Sequence, residues 1–376
     1  MLNRVLSNDF PRSRVLAAIL VLVFLALAVT PFLVPGVKAL NVAAKILVFI
    51  VLVASFDLLL GYTGIVSFAH TMFFGIGAYG IAIASTRMGA GWTAIAVGTA
   101  AALALSFVLA AAIGLFSLRV RAIFFSMITL AFAAAFQTLA SQLSEFTGGE
   151  DGLTFKMPGV LSPSFEFTLF GHDFDGRLVC YYLLFLLAVV FFLALLRIVN
   201  SPFGRVLQAI RENEFRAEAI GYRVVVYRTV SSILSALFAT LAGAMLAIWL
   251  RYNGPDTTLS FEVMLDVLLI VVIGGMGTLY GAVIGSGLFL VAQSYLQDLL
   301  KLASGAVAGV PWLAALLSPD RWLLWLGLLF VLSVYYFPTG VVGRLRALRT
   351  AAPGRSPSPP AAPAASPLPE SARRLR

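Results

Sequence analysis

Only a handful of side chains in this sequence could carry chemistry, and most of them sit inside long apolar runs. Lys45, Asp57, Glu262 and Asp266 are ionisable residues within or beside such runs, and His70 lies in another. A charge in hydrocarbon is costly and marks a substrate, ion or proton site by default. Asp57 and Glu262 fall near the ends of their runs and can reach water, whereas Asp266 is deeper. An obligatory proton or sodium site at Asp266 would lose transport on Asp266→Asn. His70 could carry a proton, but with His172 as the only other histidine, hydrogen bonding within a helix bundle is the simpler role. Enzyme chemistry has no foothold. No G-x-x-x-x-G-K-[ST] arrangement occurs, so the chain has no P-loop of its own. HExxH, a Cys/His metal cluster and a nucleophile elbow are missing too, and no cofactor or metal is expected on this chain. Cys180, the single cysteine, reads as a buried, inert thiol.

Membrane helices must position these residues. The 376 residues are 60% hydrophobic and 11% charged, far from the composition of a soluble domain. A bilayer core takes about 20 apolar residues per helix. Ten spans follow, over 15–34, 39–60, 64–85, 92–116, 122–143, 178–199, 229–250, 261–273, 279–297 and 322–337. The fold class is an all-α polytopic membrane protein of about ten transmembrane helices, some short or broken at Gly-rich stretches. Arg4, Arg12 and Arg14 precede the first span as in a signal peptide, but its length and the lack of a small-x-small cleavage site predict an uncleaved anchor.

Ten spans put both termini on one side of the membrane. Eighteen lysines and arginines fall on that side and seven on the other, so the positive-inside rule makes both termini cytoplasmic. The net charge of +9 lies in loops and tails between spans and is no nucleic-acid footprint. The chain then divides into a cytoplasmic segment 1–14, a transmembrane unit 15–338 and a Pro/Ala-rich cytoplasmic tail 339–376, which has nothing to build a core with and is expected to be disordered. Within the unit, 144–177 forms an external loop whose TGGEDGL run, 147–153, is a turn or a docking surface, and 200–228 forms a cytoplasmic loop.

Two stretches depart from ordinary helix composition. GYTGIVSFAHTMFFGIGAYG carries Gly61, Gly64, Gly75 and Gly77, and VIGGMGTLYGAVIGSG carries Gly274, Gly275, Gly277 and Gly281. Such glycines serve close helix packing or a break in the helix, and a break in each half points to a transporter core. Thr63, Ser67 and His70 recur at i, i+4 and i+7, a polar stripe facing a partner helix or a transport path. Ser126, Thr129 and Gln137, with Ser141 and Ser144, give another span a weakly polar face suited to a water-accessible seam or to interhelical hydrogen bonds.

The loop from Asn200 to Arg228 has the pattern of folded structure. Ser201 can cap a helix and Pro202 suits its first position. Phe203, Val206, Leu207 and Ile210 then form one apolar face. A second short helix, from about Asn213 to Ile220, stops at Gly221. Two amphipathic helices in water need cover for that face, from the protein's own membrane helices or from a separate cytoplasmic subunit.

These motifs, in this order, resemble permeases of branched-chain amino acid ABC importers, LivM-type subunits above all. The resemblance rests on GYTGIVSFAH with FFGIGAYG, TGGEDGL, SPFGRVLQAIRENEFRAEAIGY and VIGGMGTLYG, and runs from about Ala39 to Phe337. It implies a non-enzymatic transport subunit of the bacterial inner membrane. It also implies four partners: a homologous second permease, two ATP-binding subunits that hold ATP and Mg, and an external solute-binding protein. The loop with Ala209, Arg211, Glu212, Glu214, Ala217, Glu218, Ala219 and Gly221 is similar to the motif that contacts the ATPase. The family commonly has Asn at the position of Asp57 and Gln-Val-Ser-Leu-Gly-His where this chain has residues 65–70, and its members also handle urea, amides and aromatic acids. Against an ATP-driven importer stands an ion-coupled secondary transporter using Asp57, His70 or Asp266, which leaves the capped cytoplasmic loop without a role.

Overall fold

The computed structural model describes residues 14–33, 36–117, 122–163, 165–169, 172–306, 316–337 and 339–343. Ten helices match the ten expected spans: α1 (Arg14–Leu33), α2 (Val37–Thr63), α3 (His70–Met88), α4 (Trp92–Ser117), α5 (Ala122–Gln142), α6 (Gly176–Val199), α9 (Val224–Leu250), α10 (Phe261–Gly274), α11 (Leu279–Ala306) and α12 (Trp322–Tyr336). The two short helices α7 (Pro202–Glu212) and α8 (Glu214–Ala219) lie between α6 and α9. Among the described residues eight segments are long and apolar enough to cross a bilayer. The shorter apolar run of α1 and the 19-residue α3 complete the ten. The chain is an all-α polytopic membrane protein.

The bundle is organised around α2. From Val42 to Tyr62 nearly every α2 residue is buried, Lys45 and Leu60 excepted, because α6, α9, α10 and α11 surround it. Its neighbour α9 is built for close approach. Ser231, Ser232, Ser235, Ala236, Ala239 and Thr240 are all buried small residues, and α9 packs more extensively on α3 than any other helix pair does. There, a Cβ on Gly77 would overlap the Thr240 carbonyl, and one on Gly243 would overlap the Phe74 carbonyl. Backbone-to-backbone contact of this kind is how membrane helices gain dispersion energy without a hydrophobic driving force. The outward faces of α1, α4, α5 and α12 are apolar and exposed, with Leu25, Phe107, Phe124 and Val331 among them, as lipid contact requires.

Two short ladders supplement the helices. β1 (Leu153–Thr154) pairs antiparallel with β4 (Tyr252–Asn253), Leu153 opposite Asn253. β2 (Glu166–Leu169) and β3 (His172–Asp175) form a hairpin. The TGGEDGL run is a tight turn: Thr147 Oγ1 donates to the carbonyls of Ala140 (2.5 Å) and Leu143 (2.7 Å), and Gly148, Gly149 and Gly152 have positive φ.

Three expectations change. Residues 64–69 are not helical, so the third span starts at His70, and Thr63, Ser67 and His70 do not share one helical face. Gly64, at φ 75°, ends α2 in the left-handed region that only glycine adopts cheaply. Gly75 and Gly77 are not at a break, because α3 is continuous through both; they are packing positions, Gly75 against Leu259. Of residues 339–343, assigned to the tail from sequence, 340–343 form a single turn of α-helix, with Val342 buried beside Ile284. The rest of that tail and segment 1–13 lie outside the described residues.

Candidate functional site

The α7–α8 element is held from beneath. Ser201 accepts from the Gly204 N–H (3.4 Å) and Pro202 opens α7. Leu207 and Ile210 are buried, and Phe203 stacks on Tyr227 of α9 at 5.7 Å between ring centroids. Asn213 closes α7 and caps α8 by accepting from the Arg216 N–H at 2.9 Å. Gly221, at φ 100°, turns the chain into α9.

Three residues expected to contact an ATPase, Arg211, Glu214 and Ala217, are engaged within the chain. Ala217 is buried with Ile210 and Val224, and Glu214 is held by Arg228 through two hydrogen bonds of 2.6 and 3.0 Å. Ala209, Glu212, Glu218, Ala219 and Gly221 are exposed. The most prominent outward groups escaped the sequence reading: Phe215 is 85% exposed and Ile220 is 71% exposed. The two lie on and just after the six-residue α8 and form an exposed apolar pair beside the polar residues of the loop. The available signal was their position, since neither falls on the apolar face set by Ile210 and Ala217.

Arg211 reaches back into the bundle. Its Nη1 donates to the Gly61 carbonyl, and its aliphatic stem covers Gly64, where a Cβ would lie 3.2 Å from Arg211 Cγ. Gly61 in turn presses on Gly277, and a Cβ on Gly61 would overlap both the Gly277 nitrogen and the Asp57 carboxylate. The Gly277 N–H donates to Asp57 Oδ1 at 2.8 Å, while Asp57 Oδ2 is buried with no partner among the described residues. Gly275 and Gly277 have φ of 114° and 79°, and Gly274 and Gly281 meet backbone to backbone. The end of α2, the turn between α10 and α11, and helix α7 therefore meet at one junction. Gly61, Gly64, Gly274, Gly275, Gly277 and Gly281 all belong to it.

The expected path residues separate into two kinds. Thr63, Ser67, His70 and Thr129 are buried. Thr63 Oγ1 donates to the Leu58 carbonyl (2.9 Å) and meets Ser231 Oγ at 3.0 Å. His70 Nε2 lies 2.9 Å from Ser55 Oγ and 3.2 Å from the Leu52 carbonyl. Thr129 Oγ1 accepts from the Phe68 N–H (3.1 Å) and Ser126 Oγ donates to the Val66 carbonyl (2.9 Å), so α5 satisfies the unwound 64–69 backbone. These groups hold the bundle together. Gln137 is half-buried on α5, away from that cluster.

Asp266 is different. It is half-buried, accepts from Gln293 Nε2 of α11 at 3.2 Å, and lies within electrostatic reach of Lys45 on α2 and Glu262 on its own helix. Lys45 is exposed and forms no hydrogen bond or ion pair among the described residues. Lys38, Asn41 and Lys45 recur at i, i+3 and i+7, a polar exposed line on a helix that is otherwise apolar and buried. Lys38 pairs with Asp298 of α11, and lies 5.0 Å from the centre of the Tyr295 ring. Lys45 was visible from sequence as an isolated charge, but its partners α10 and α11 were not.

The profile of the family described as branched-chain amino acid transport system / permease component matches residues 38–334. The chain is 28% identical over 313 residues to the high-affinity branched-chain amino acid transport system permease protein LivM of Escherichia coli, covering 79% of this chain and 72% of that one. It is 26% identical to the protein of the same description from Salmonella typhimurium over 307 residues, 77% and 71% of the two chains. A probable branched-chain amino acid transport permease protein LivM from Methanocaldococcus jannaschii is 24% identical over 242 residues, 63% and 65% of the two chains. No solved structure matches the chain significantly.

Proposed function

Since the chain belongs to the branched-chain amino acid transport system permease family, we propose that it is the membrane subunit of an ATP-driven importer in the bacterial inner membrane. Its solutes are branched-chain amino acids or related small amides and carboxylates. Both termini face the cytoplasm, and the chain works with a homologous second permease, two ATP-binding subunits that supply ATP and Mg, and an external solute-binding protein. The chain itself carries out no hydrolysis.

The observation that carries this reading is the Arg211 contact. The α7–α8 element offers Phe215 and Ile220, on and just after α8, to the surface and reaches, through Arg211 of α7, the carbonyl of Gly61. Gly61 abuts Gly277, so displacement of α7 acts at once on the end of α2 and on the turn joining α10 to α11. Closure of ATPase subunits against α7–α8 would thereby reach both helix breaks without a further relay. Arg211→Ala tests it in the reconstituted transporter. Stimulation of ATP hydrolysis by the loaded binding protein persists, while solute uptake per ATP falls. Uptake at the full wild-type ratio would contradict the coupling route.

A secondary transporter is favoured by one observation, the unpartnered Oδ2 of buried Asp57. Uptake driven by a proton gradient with no ATPase present would select that reading.

A further inference from the structure

An unpaired ammonium at membrane depth needs water, a ligand or a partner subunit's acidic group. Lys45 is eight residues into α2, about 12 Å from its start at 1.5 Å per residue, and its side chain is exposed. Across from it, Asp266 sits five residues into α10, and Gln293 lies near the middle of α11. Lipid is an unfavourable neighbour for these groups, because a charged side chain in the hydrocarbon is costly. The bundle could have neutralised the pair by bringing Lys45 into contact with Asp266. It does not: the carboxylate binds Gln293, and the ammonium stays open.

We infer that Lys45 and Asp266, with Gln293, form a recognition site for the zwitterionic head of an α-amino acid, Lys45 taking the carboxylate and Asp266 the ammonium. Two opposite charges near one another but not in contact complement a ligand that carries both charges on one carbon. Gln293 orients Asp266, leaving the other carboxylate oxygen to the solute. The exposed Asn41, one turn before Lys45, extends the polar surface along α2. The site selects the amino acid class by its head group and leaves the side chain to other surfaces. It rests on the amino acid permease reading but not on ATP coupling.

The test uses the transporter assembled in membranes, with Cys180→Ser as background and Lys45→Cys, Asp266→Cys or Asn41→Cys added singly. The Asn41→Cys variant keeps both charges. A membrane-impermeant methanethiosulfonate reagent is applied from the side of the Asn41 end, without ATP. All three cysteines react; free leucine slows the reaction at Asn41→Cys, and at Lys45→Cys and Asp266→Cys, which have each lost one of the two charges, it does so only at concentrations about tenfold or more higher. At Asn41→Cys, 4-methylpentanoate (no ammonium) and isoamylamine (no carboxylate) need concentrations about tenfold or more higher for the same protection, from the loss of one charge-assisted contact. A cysteine that resists the reagent in the assembled transporter, as it would if the second permease covered Lys45, overturns the inference. At Asn41→Cys, labelling that leucine leaves unchanged, or that both analogues block as well as leucine, overturns it too. Failure of ATP coupling would appear separately, as lost ATP-driven uptake with leucine protection intact.

Discussion

Asp57 offers the sharpest separation between a structural carboxylate and a proton carrier. Its Oδ1 accepts from the Gly277 N–H at 2.8 Å, its Oδ2 has no partner among the described residues, and the Arg211 guanidinium lies within electrostatic reach. Asp57→Ala removes the acceptor and leaves a buried N–H unpaired, at a cost of about 1–3 kcal/mol. That is roughly a fivefold to hundredfold shift against the intact junction, since each 1.4 kcal/mol is a factor of ten. Asp57→Asn keeps an acceptor for Gly277. It gives up the attraction to Arg211 and also removes the burden of an unpaired buried charge; these effects oppose, so the net change stays within about 1–2 kcal/mol. Thermal unfolding of the purified variants and solute uptake in proteoliposomes measure both effects. Asp57→Asn keeps near-normal uptake and stability, and Asp57→Ala loses both. A folded, fully assembled Asp57→Asn transporter that still hydrolyses ATP but imports nothing would refute the structural role and make the ionisable proton essential.

The other expected outcomes concern contacts at either end of the same route. A Cβ at Gly221 meets no atom within 4 Å, so the effect of Gly221→Val is chiefly backbone strain at φ 100°, about 1–3 kcal/mol; uptake falls relative to ATP hydrolysis, and full uptake would show the turn to be dispensable. Phe215→Ala weakens capture of the ATP-binding subunits by about 2 kcal/mol, measured by co-purification at graded concentration, while leaving the unfolding midpoint of the isolated chain unchanged because the ring is exposed. Gly77→Val drives a side chain into the Thr240 carbonyl and lowers the yield of folded protein, whereas valine at Gly287, where nothing lies within 4 Å, is tolerated.

Much of this architecture is written locally. Twenty-residue apolar runs specify the spans, and Ser201, Pro202, Asn213 and Gly221 specify two short helices because caps act within a turn of the residues they satisfy. Glycines are less readable. Gly64 and Gly77 look alike in sequence, yet one ends a helix and the other admits a neighbouring backbone, and only the position of α9 separates them. Polar stripes mislead for a related reason: assigning Thr63, Ser67 and His70 to one face presumed a helix that residues 64–69 do not form. The partners of Arg211 and Asp266, at separations of 150 and 27 residues, come from tertiary packing and have no local signature.

The bond between Asp57 and Gly277 also bears on biogenesis. The two residues are 220 positions apart, so at about 5–20 residues per second the ribosome needs roughly 10–40 s to supply the partner after Asp57 has emerged. Throughout that interval α2, the axis of the bundle, holds a carboxylate near one end with no donor to receive it. Until then water at the nearby helix end can serve the carboxylate, and the arrival of the α10–α11 turn replaces that water with the Gly277 N–H. Nascent chains stopped before residue 277 should accumulate as quality-control substrates, and those extended past α11 should escape.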